Sequence, residues 1–365
     1  MRRTDIKGET IMARKFRKIG VLTSGGDAPG MNSALRAVAL EALSSGVEVL
    51  GIMKGYTGLI SGELMELTPE RVAGISPLSG TILYADRCRE FATEEGMKKA
   101  VRTCELNQID GIVAIGGDGT FRGATDLNHH GVPCIGIPGT IDNDITSTDY
   151  TIGFDTAMNT VVGLADNLRD TCESHARCSV IEVMGRDAGY IAVESAIAAG
   201  AVAVAIPEVP FDEDKAVERI IKERKNGTRA FIVMVSEGLG SEFGEKLTKR
   251  INDEAKVESR FARLAHVVRG GKPTLRDRLT ASMMGEKAVK ELLSGKSDLV
   301  ICEKDSRIVA RDIDYALVLD RLYKNKLKDG DLEKFSEKVV VKMKKEAEEV
   351  RQLVKDLYTT ANRLA

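Results

Sequence analysis

The sequence predicts an α/β protein built on parallel sheet that is covered on both faces by helices. Three observations carry this. Runs of five or six apolar residues, rich in Val and Ile, alternate with longer helix-like stretches along the chain. Glycine is abundant, at 35 residues, as tight strand-to-helix turns and close approach of backbone to a ligand require. A chain of 365 residues suggests about two domains. With 43% hydrophobic and 30% charged residues it is globular rather than disordered or coiled coil.

Taken in order, Lys18–Thr23 (KIGVLT) predicts a buried strand, Met31–Ser44 a helix and Val47–Met53 the next strand. Further strands are predicted at Gly111–Ile115, Pro133–Ile137, Cys178–Val183, Ala201–Ile206 and Ala230–Val235. Helices are predicted at Glu94–Asn107, Phe121–His130, Met158–Ser174, Asp187–Ala198, Lys215–Lys225 and Phe243–Lys256. No repeat of solenoid length is present. From Asp331 to Ala365, residues Leu332, Phe335, Val339, Met343, Ala347, Val350, Val354, Leu357 and Ala361 recur three or four apart. They form one apolar stripe on a charged helix, read as docked on the body, with a subunit contact as the alternative. Residues 1–16 are basic without an apolar core, so they read as a disordered leader, not a signal peptide, with Met12 an alternative start.

Composition excludes several functions. The 53 basic and 55 acidic residues leave a net charge of −2, which argues against general nucleic-acid or membrane-surface binding. No segment is long and apolar enough to cross a bilayer. The six cysteines, Cys88, Cys104, Cys134, Cys172, Cys178 and Cys302, form no CxxC pair, so they read as reduced thiols of a cytoplasmic protein. The histidines, His129, His130, His175 and His266, are too few and scattered for a multi-histidine metal site. Catalysis therefore falls to carboxylates, arginines and backbone amides.

Ligands of such folds sit at the carboxyl ends of strands. The first strand runs into Thr23-Ser24-Gly25-Gly26-Asp27-Ala28-Pro29-Gly30-Met31-Asn32, a glycine turn opening a helix. The N-terminal amides of that helix suit a phosphate, although the P-loop spacing and lysine are missing. Ile115-Gly116-Gly117-Asp118-Gly119-Thr120 repeats the arrangement with an acid between glycines, suited to Mg²⁺ beside phosphates held by amides. Ile137-Pro138-Gly139-Thr140-Ile141-Asp142-Asn143-Asp144 places two carboxylates two residues apart beyond a strand end. One can accept a hydroxyl proton while the other supports the metal's water shell. Arg87, the Met184-Gly185-Arg186 turn, and His266-Val267-Val268-Arg269-Gly270-Gly271 followed by Arg276-Asp277-Arg278 add guanidinium groups beside glycine turns. Together they imply a second phosphate besides that of a nucleotide.

In order and spacing, TSGGDAPGMN, IGGDGT, PGTIDND, TDYTIGFDTA, EVMGR and RGG…DR resemble the 6-phosphofructokinases over roughly residues 17–325. GGDGT alone is shared with NAD and diacylglycerol kinases, which lack the combination. The resemblance implies two Rossmann-like three-layer α/β/α lobes, the active site in the cleft between them, and a C-terminal helical extension. Residues 17–153 with about 277–315 would form the nucleotide lobe, 154–276 the sugar-phosphate lobe, and 316–365 the helical segment. It implies transfer of the γ-phosphoryl group of MgATP to the 1-hydroxyl of fructose 6-phosphate. Asp142 would be the general base. Thr140 and Asp144 would position sugar and metal, and Asp118 would hold Mg²⁺. Gly25, Arg87, Cys88, Gly117, Gly119 and Thr120 would line the nucleotide site, and Arg186 with Arg87 would face the moving phosphoryl group. Ile141, Met184, Gly185, Glu237 and Arg278 would hold the sugar phosphate. Arg177 and Arg269 would reach it from a neighbouring subunit of a homo-oligomer, typically a tetramer.

Pyrophosphate-dependent members are the alternative. They typically carry Asp at the Gly119 position and Lys at the Gly139 position, so glycine at both favours ATP. Arg36 and Arg169 match two basic residues of the family's effector site, but Leu40, Val202 and Thr228 replace its other charges, which implies weak effector control.

Overall fold

A computed structural model describes residues 16–365. The expected leader lies outside the described residues except for Phe16. That residue is buried and packs beside Gly111, so the folded body begins at least one residue earlier than expected.

The first sheet combines β1 (Lys18–Thr23), β2 (Glu48–Ile52), β3 (Leu64–Glu66), β4 (Gly111–Gly116) and β5 (Cys134–Pro138). The second holds β6 (Cys178–Val183), β7 (Ala203–Ala205), β8 (Phe231–Ser236) and β9 (Ser259–Arg263), and β10 (Leu299–Lys304) and β11 (Arg307–Asp312) return to the first. The strand orders are β11-β10-β5-β4-β1-β2-β3 and β7-β8-β6-β9. All pairs are parallel except β2–β3 and β10–β11 at the edges of the larger sheet. The chain turns opposite ways from β1 and β4, which lie side by side, so the topological switch point falls between their carboxyl ends.

Helices are α1 (Met31–Ser44), α2 (Tyr56–Ser61), α3 (Pro69–Val72), α4 (Glu94–Leu106), α5 (Asp118–His129) and α6 (Phe154–His175). They continue with α7 (Tyr190–Ala199), α8 (Glu213–Lys225), α9 (Phe243–Arg250), α10 (Leu275–Leu293), α11 (Ile313–Tyr323) and α12 (Glu337–Leu364). The strands are apolar on both sides because both sides are covered. Ile19, Val21, Val113 and Ile115 join one core with α1 and α10, while Leu22, Ile112 and Ala114 join another with α2, α4, α5 and α11. In the second sheet Ile181, Ile232 and Met234 face α6 and α7, and Val180, Val233 and Val235 face α8 and α9. α10 lies tight on α1 because Gly285 has no side chain: a Cβ there would sit 2.7 Å from the Ala34 carbonyl oxygen.

Some bounds differ from expectation. α5 starts at Asp118 and α6 at Phe154, because each glycine turn passes straight into its helix. α7 starts only at Tyr190, since the preceding loop is held by acidic side chains from elsewhere. α9 ends at Arg250 and relaxes into a π-turn over Ile251–Ala255. α12 begins after Ser336 and buries Met343, Ala347, Val354 and Ala361. It packs on α11 of the first lobe and on α7 and β7 of the second, so it crosses between them.

Candidate active site

The turns after β1 and β4 meet at the switch point. Ser24 N–H donates to the Ile115 carbonyl at 3.0 Å, and Thr120 Oγ1 donates to the Ser24 carbonyl at 3.2 Å. A cleft of about 630 Å³ opens there. Gly25, Arg87, Cys88, Gly117, Asp118, Gly119, Thr120, Thr140, Asp142, Arg186 and Arg269 all line it, gathered from both lobes. Arg87 is exposed and makes no ion pair among the described residues. Tyr56 and Phe91, stacked at 4.0 Å between centroids, form an apolar wall that the sequence reading did not single out.

The acidic loop after β5 is built from its own hydrogen bonds. Thr140 Oγ1 accepts from Asp142 N–H at 3.3 Å and donates to Asp142 Oδ2 at 3.3 Å. Asn143 adopts φ 50, a conformation that asparagine tolerates better than most residues, and its Oδ1 accepts from Thr151 N–H at 2.9 Å. Asp142 is therefore buried, with Oδ1 lacking any hydrogen-bond partner. Burial, aided by the charge of Asp144, pushes its carboxyl up to about 6 against the opposing pull of Arg269, Arg186 and the Thr140 hydrogen bond.

Arg186 follows β6 with φ 55. Glu237, at the end of neighbouring β8, fixes this turn by accepting from Gly185 N–H at 3.1 Å and Arg186 N–H at 2.9 Å. The Arg186 guanidinium lies 3.8 Å from Asp118 and 3.7 Å from Asp144, near both but in hydrogen-bond contact with neither. Ile141 is fully buried and Met184 nearly so, and neither lines the cleft. Asp144 lies on the far side of Arg186, lining an adjoining recess of about 300 Å³ with Asp118, Arg122 and Lys324.

Two further expected site residues are placed as follows. Arg269 lies at the cleft of its own chain: its Nη1 donates to the Asp27 carbonyl at 3.0 Å, and its charge acts on Asp142. Arg278 does not enter the cleft, because it lies in the first turn of α10 with Nε bonded to the Pro273 carbonyl at 2.7 Å. Its neighbours are structural as well. Asp277 accepts from Tyr150 Oη at 2.5 Å, Gly153 N–H at 2.6 Å, Thr156 N–H at 2.9 Å and Thr156 Oγ1 at 2.5 Å. Arg276 pairs with Glu303. Arg177 sits at the start of β6, the end opposite Arg186, and shares Glu258 with Arg260 at 3.0 and 2.5 Å. Across a six-residue strand that is roughly 17 Å from its own cleft.

The donor set suits a hard cation. Asp118 is a half-open carboxylate at the cleft wall, and Mg²⁺ takes one or two carboxylates with waters and substrate phosphates. Among the described residues no helix is long and apolar enough to cross a membrane. All six cysteines are free, and five are buried.

Two parallel sheets whose glycine turns and acidic loop converge on one cleft define an α/β enzyme that handles phosphoryl groups. The phosphofructokinase family model matches residues 18–292, and the chain belongs to that family. It is 49% identical over 312 residues to the ATP-dependent 6-phosphofructokinase 1 of Clostridium perfringens, covering 86% of this chain and 97% of the relative. Its structure is similar to phosphofructokinase from Saccharomyces cerevisiae, with a TM-score of 0.82 and 30% identity over 87% of this chain. It spans about half of that yeast chain, 48% of its length. A pyrophosphate-dependent phosphofructokinase from Marinobacter aquaeolei shares the fold at a TM-score of 0.72 and 22% identity, over 82% of this chain and 83% of that one.

Proposed function

We propose that this chain transfers the γ-phosphoryl group of MgATP to the 1-hydroxyl of fructose 6-phosphate, giving fructose 1,6-bisphosphate and ADP. The observation that carries this is Asp142, a largely buried carboxylate that lines a cleft of glycine turns and arginines and keeps one oxygen without a hydrogen-bond partner. The Asp142 carboxylate takes the proton from the sugar hydroxyl as that hydroxyl oxygen attacks phosphorus. Arg186 and Arg87 stabilise charge developing on the transferring group. The turns at Gly25 and Gly117–Thr120 hold the donor's phosphates through backbone amides. Asp118 would hold Mg²⁺, which when bound neutralises charge on the donor's phosphates. Glu237 keeps the Gly185–Arg186 turn in place beside the sugar, with Thr140 and Met184 behind it.

ATP is the proposed donor. A Cβ at Gly119 would meet only Arg122 Nη2, at 3.8 Å, so a side chain there would project into donor space. At Gly139 a Cβ would lie 3.0 Å from Met31 and 3.1 Å from Ile115, so this chain cannot take a lysine there without repacking.

The lobe boundaries inferred from the sequence, a cytoplasmic setting and a homotetramer belong to the same proposal. Arg177 and Arg269 would serve a neighbour's 6-phosphate, and Arg177 lies at the strand end remote from its own cleft. Control by anionic effectors would be weak. Arg169 Nη2 is spent on the carbonyls of Ala199 and, at 3.2 Å, Gly200, and Arg219 ties the Val202 carbonyl to that of Asn362 in α12. Steady-state assays of fructose 6-phosphate phosphorylation, with and without ADP, test this. A strongly cooperative curve shifted by ADP would contradict weak control.

A further inference from the structure

Beyond the segment matched by the family model, α11 ends in a pair of charged residues that reach the acidic loop from behind. Lys324 is largely buried, and its ammonium meets three acceptors: Asp320 Oδ2 at 2.9 Å, the Asp144 carbonyl at 3.0 Å and Asp144 Oδ2 at 3.4 Å. An ammonium has three donors, so this one is fully engaged. Asp320 sits one turn earlier on the same helix, and its other oxygen accepts from Thr146 Oγ1 at 2.9 Å and, more weakly, Thr146 N–H at 3.4 Å. The loop that carries Asp142 is thus gripped at Asp144 and at Thr146 by one helical turn.

The grip also divides charge. Asp144 is nearly buried, and among the described residues two cations lie beside it: Lys324, and Arg186 at 3.7 Å. A buried carboxylate takes the best counter-charge available, because leaving it uncompensated is costly. With Lys324 in place, Arg186 remains outside hydrogen-bond distance of both Asp144 and Asp118. Without Lys324, the guanidinium would close on Asp144 and turn away from the position of the transferring phosphoryl group.

We infer that Lys324, anchored by Asp320, is a positioning residue for the phosphoryl-transfer step: it holds the Asp142–Asp144 loop and keeps Arg186 free for the substrate. This rests on the roles of Asp142 and Arg186 proposed above. It predicts an effect on kcat rather than on sugar binding.

The test compares kcat and KM for Lys324→Met, Lys324→Arg and Asp142→Asn, at a temperature where circular dichroism shows each variant folded. Lys324→Met is expected to lower kcat by roughly 10- to 100-fold, the scale of a small misplacement of catalytic groups. KM for fructose 6-phosphate should stay within about threefold, since Lys324 does not touch the sugar. Lys324→Arg, which keeps the cation, should recover most of the lost kcat. If Lys324→Met does not fold, Asp320→Asn replaces it, because the amide retains the Thr146 acceptor but not the charge that holds Lys324. A folded Lys324→Met, or its replacement, with kcat within twofold of the parent would overturn the inference. So would equal losses in Lys324→Met and Lys324→Arg. Full activity in Asp142→Asn would instead overturn the catalytic assignment beneath it, so the two failures are distinguishable.

Discussion

At the scale of single residues, Asp142 illustrates how a fold can disfavour the charged form of the base proposed for it. Its carboxyl is pushed up to about 6 from an ordinary value of 3.8, first by burial and then by Asp144. A group that must be ionised to accept a proton loses function as pH falls through its folded value. The acidic limb of kcat/KM in the free enzyme is therefore expected near pH 6, and a limb below pH 4.5 would contradict the assignment. The sign for stability is opposite. The charged form is disfavoured in the fold, so above pH 6 Asp142 costs stability, and that cost fades as pH falls toward 3.8. Asp142→Asn should thus reduce kcat by about 10²–10⁴. It should raise stability at neutral pH by about 1–3 kcal/mol, readable as a higher Tm. A lower Tm would show that the carboxylate is held by more than its surroundings suggest. Gly119→Asp belongs to the same scale. The site has room for the side chain, so the protein should fold, while kcat/KM for ATP falls at least about tenfold, or ~1.4 kcal/mol. KM for fructose 6-phosphate should change little, and equal losses in both would refute the donor argument.

At the scale of elements, what was legible in the sequence tracked local signals. β1, β4, β5, β6 and β8 are continuous Val/Ile runs closed by glycine or acid, and each was predicted within a residue or two. The candidate residues that follow them, Gly25, Asp118, Asp142 and Arg186, stand at those strand ends and meet in one cleft, and their placement was legible for the same reason. β9 begins with Ser259 and carries two arginines, and β11 is a charged edge strand, so neither shows the buried pattern, and both were missed. α10 was missed, and α11 fell only within the broad helical segment expected over 316–365. Arg276 and Arg278 read as phosphate ligands because arginines beside glycine turns suit phosphate. Only the three-dimensional fold shows that Asp277 collects four donors from the loop after β5 and the first turn of α6. Lys324 was missed because its partner Asp144 lies 180 residues away. α12 was legible as one stripe, and it yields a test of its own. Met343 is fully buried against Tyr315, Val318 and Leu319 of α11. Met343→Ala is expected to destabilise by about 2–5 kcal/mol in denaturant melts, and a change below about 0.5 kcal/mol would mean the helix is not docked in solution.

At the scale of the whole molecule, catalysis requires two sheets to hold one cleft. Asp142 and Asp118 come from the first, and Arg186, fixed by Glu237, from the second. Glu237→Ala removes the carboxylate oxygen that accepts two backbone hydrogen bonds from a turn with a residue at φ 55, so the turn should drift and kcat/KM should fall by about 10²-fold. A variant that keeps full activity would show that the turn is held elsewhere. α12 and the Lys326–Asp187 ion pair, at 3.0 Å, tie the lobes together on the outer side of the cleft. The cleft thus sets open glycine turns beside the buried Asp142 carboxylate. The decisive measurement is steady-state phosphorylation of fructose 6-phosphate with Mg²⁺, comparing ATP and pyrophosphate side by side on the same preparation. Activity with ATP and essentially none with pyrophosphate is the predicted result. Activity with pyrophosphate at least equal to that with ATP would contradict it.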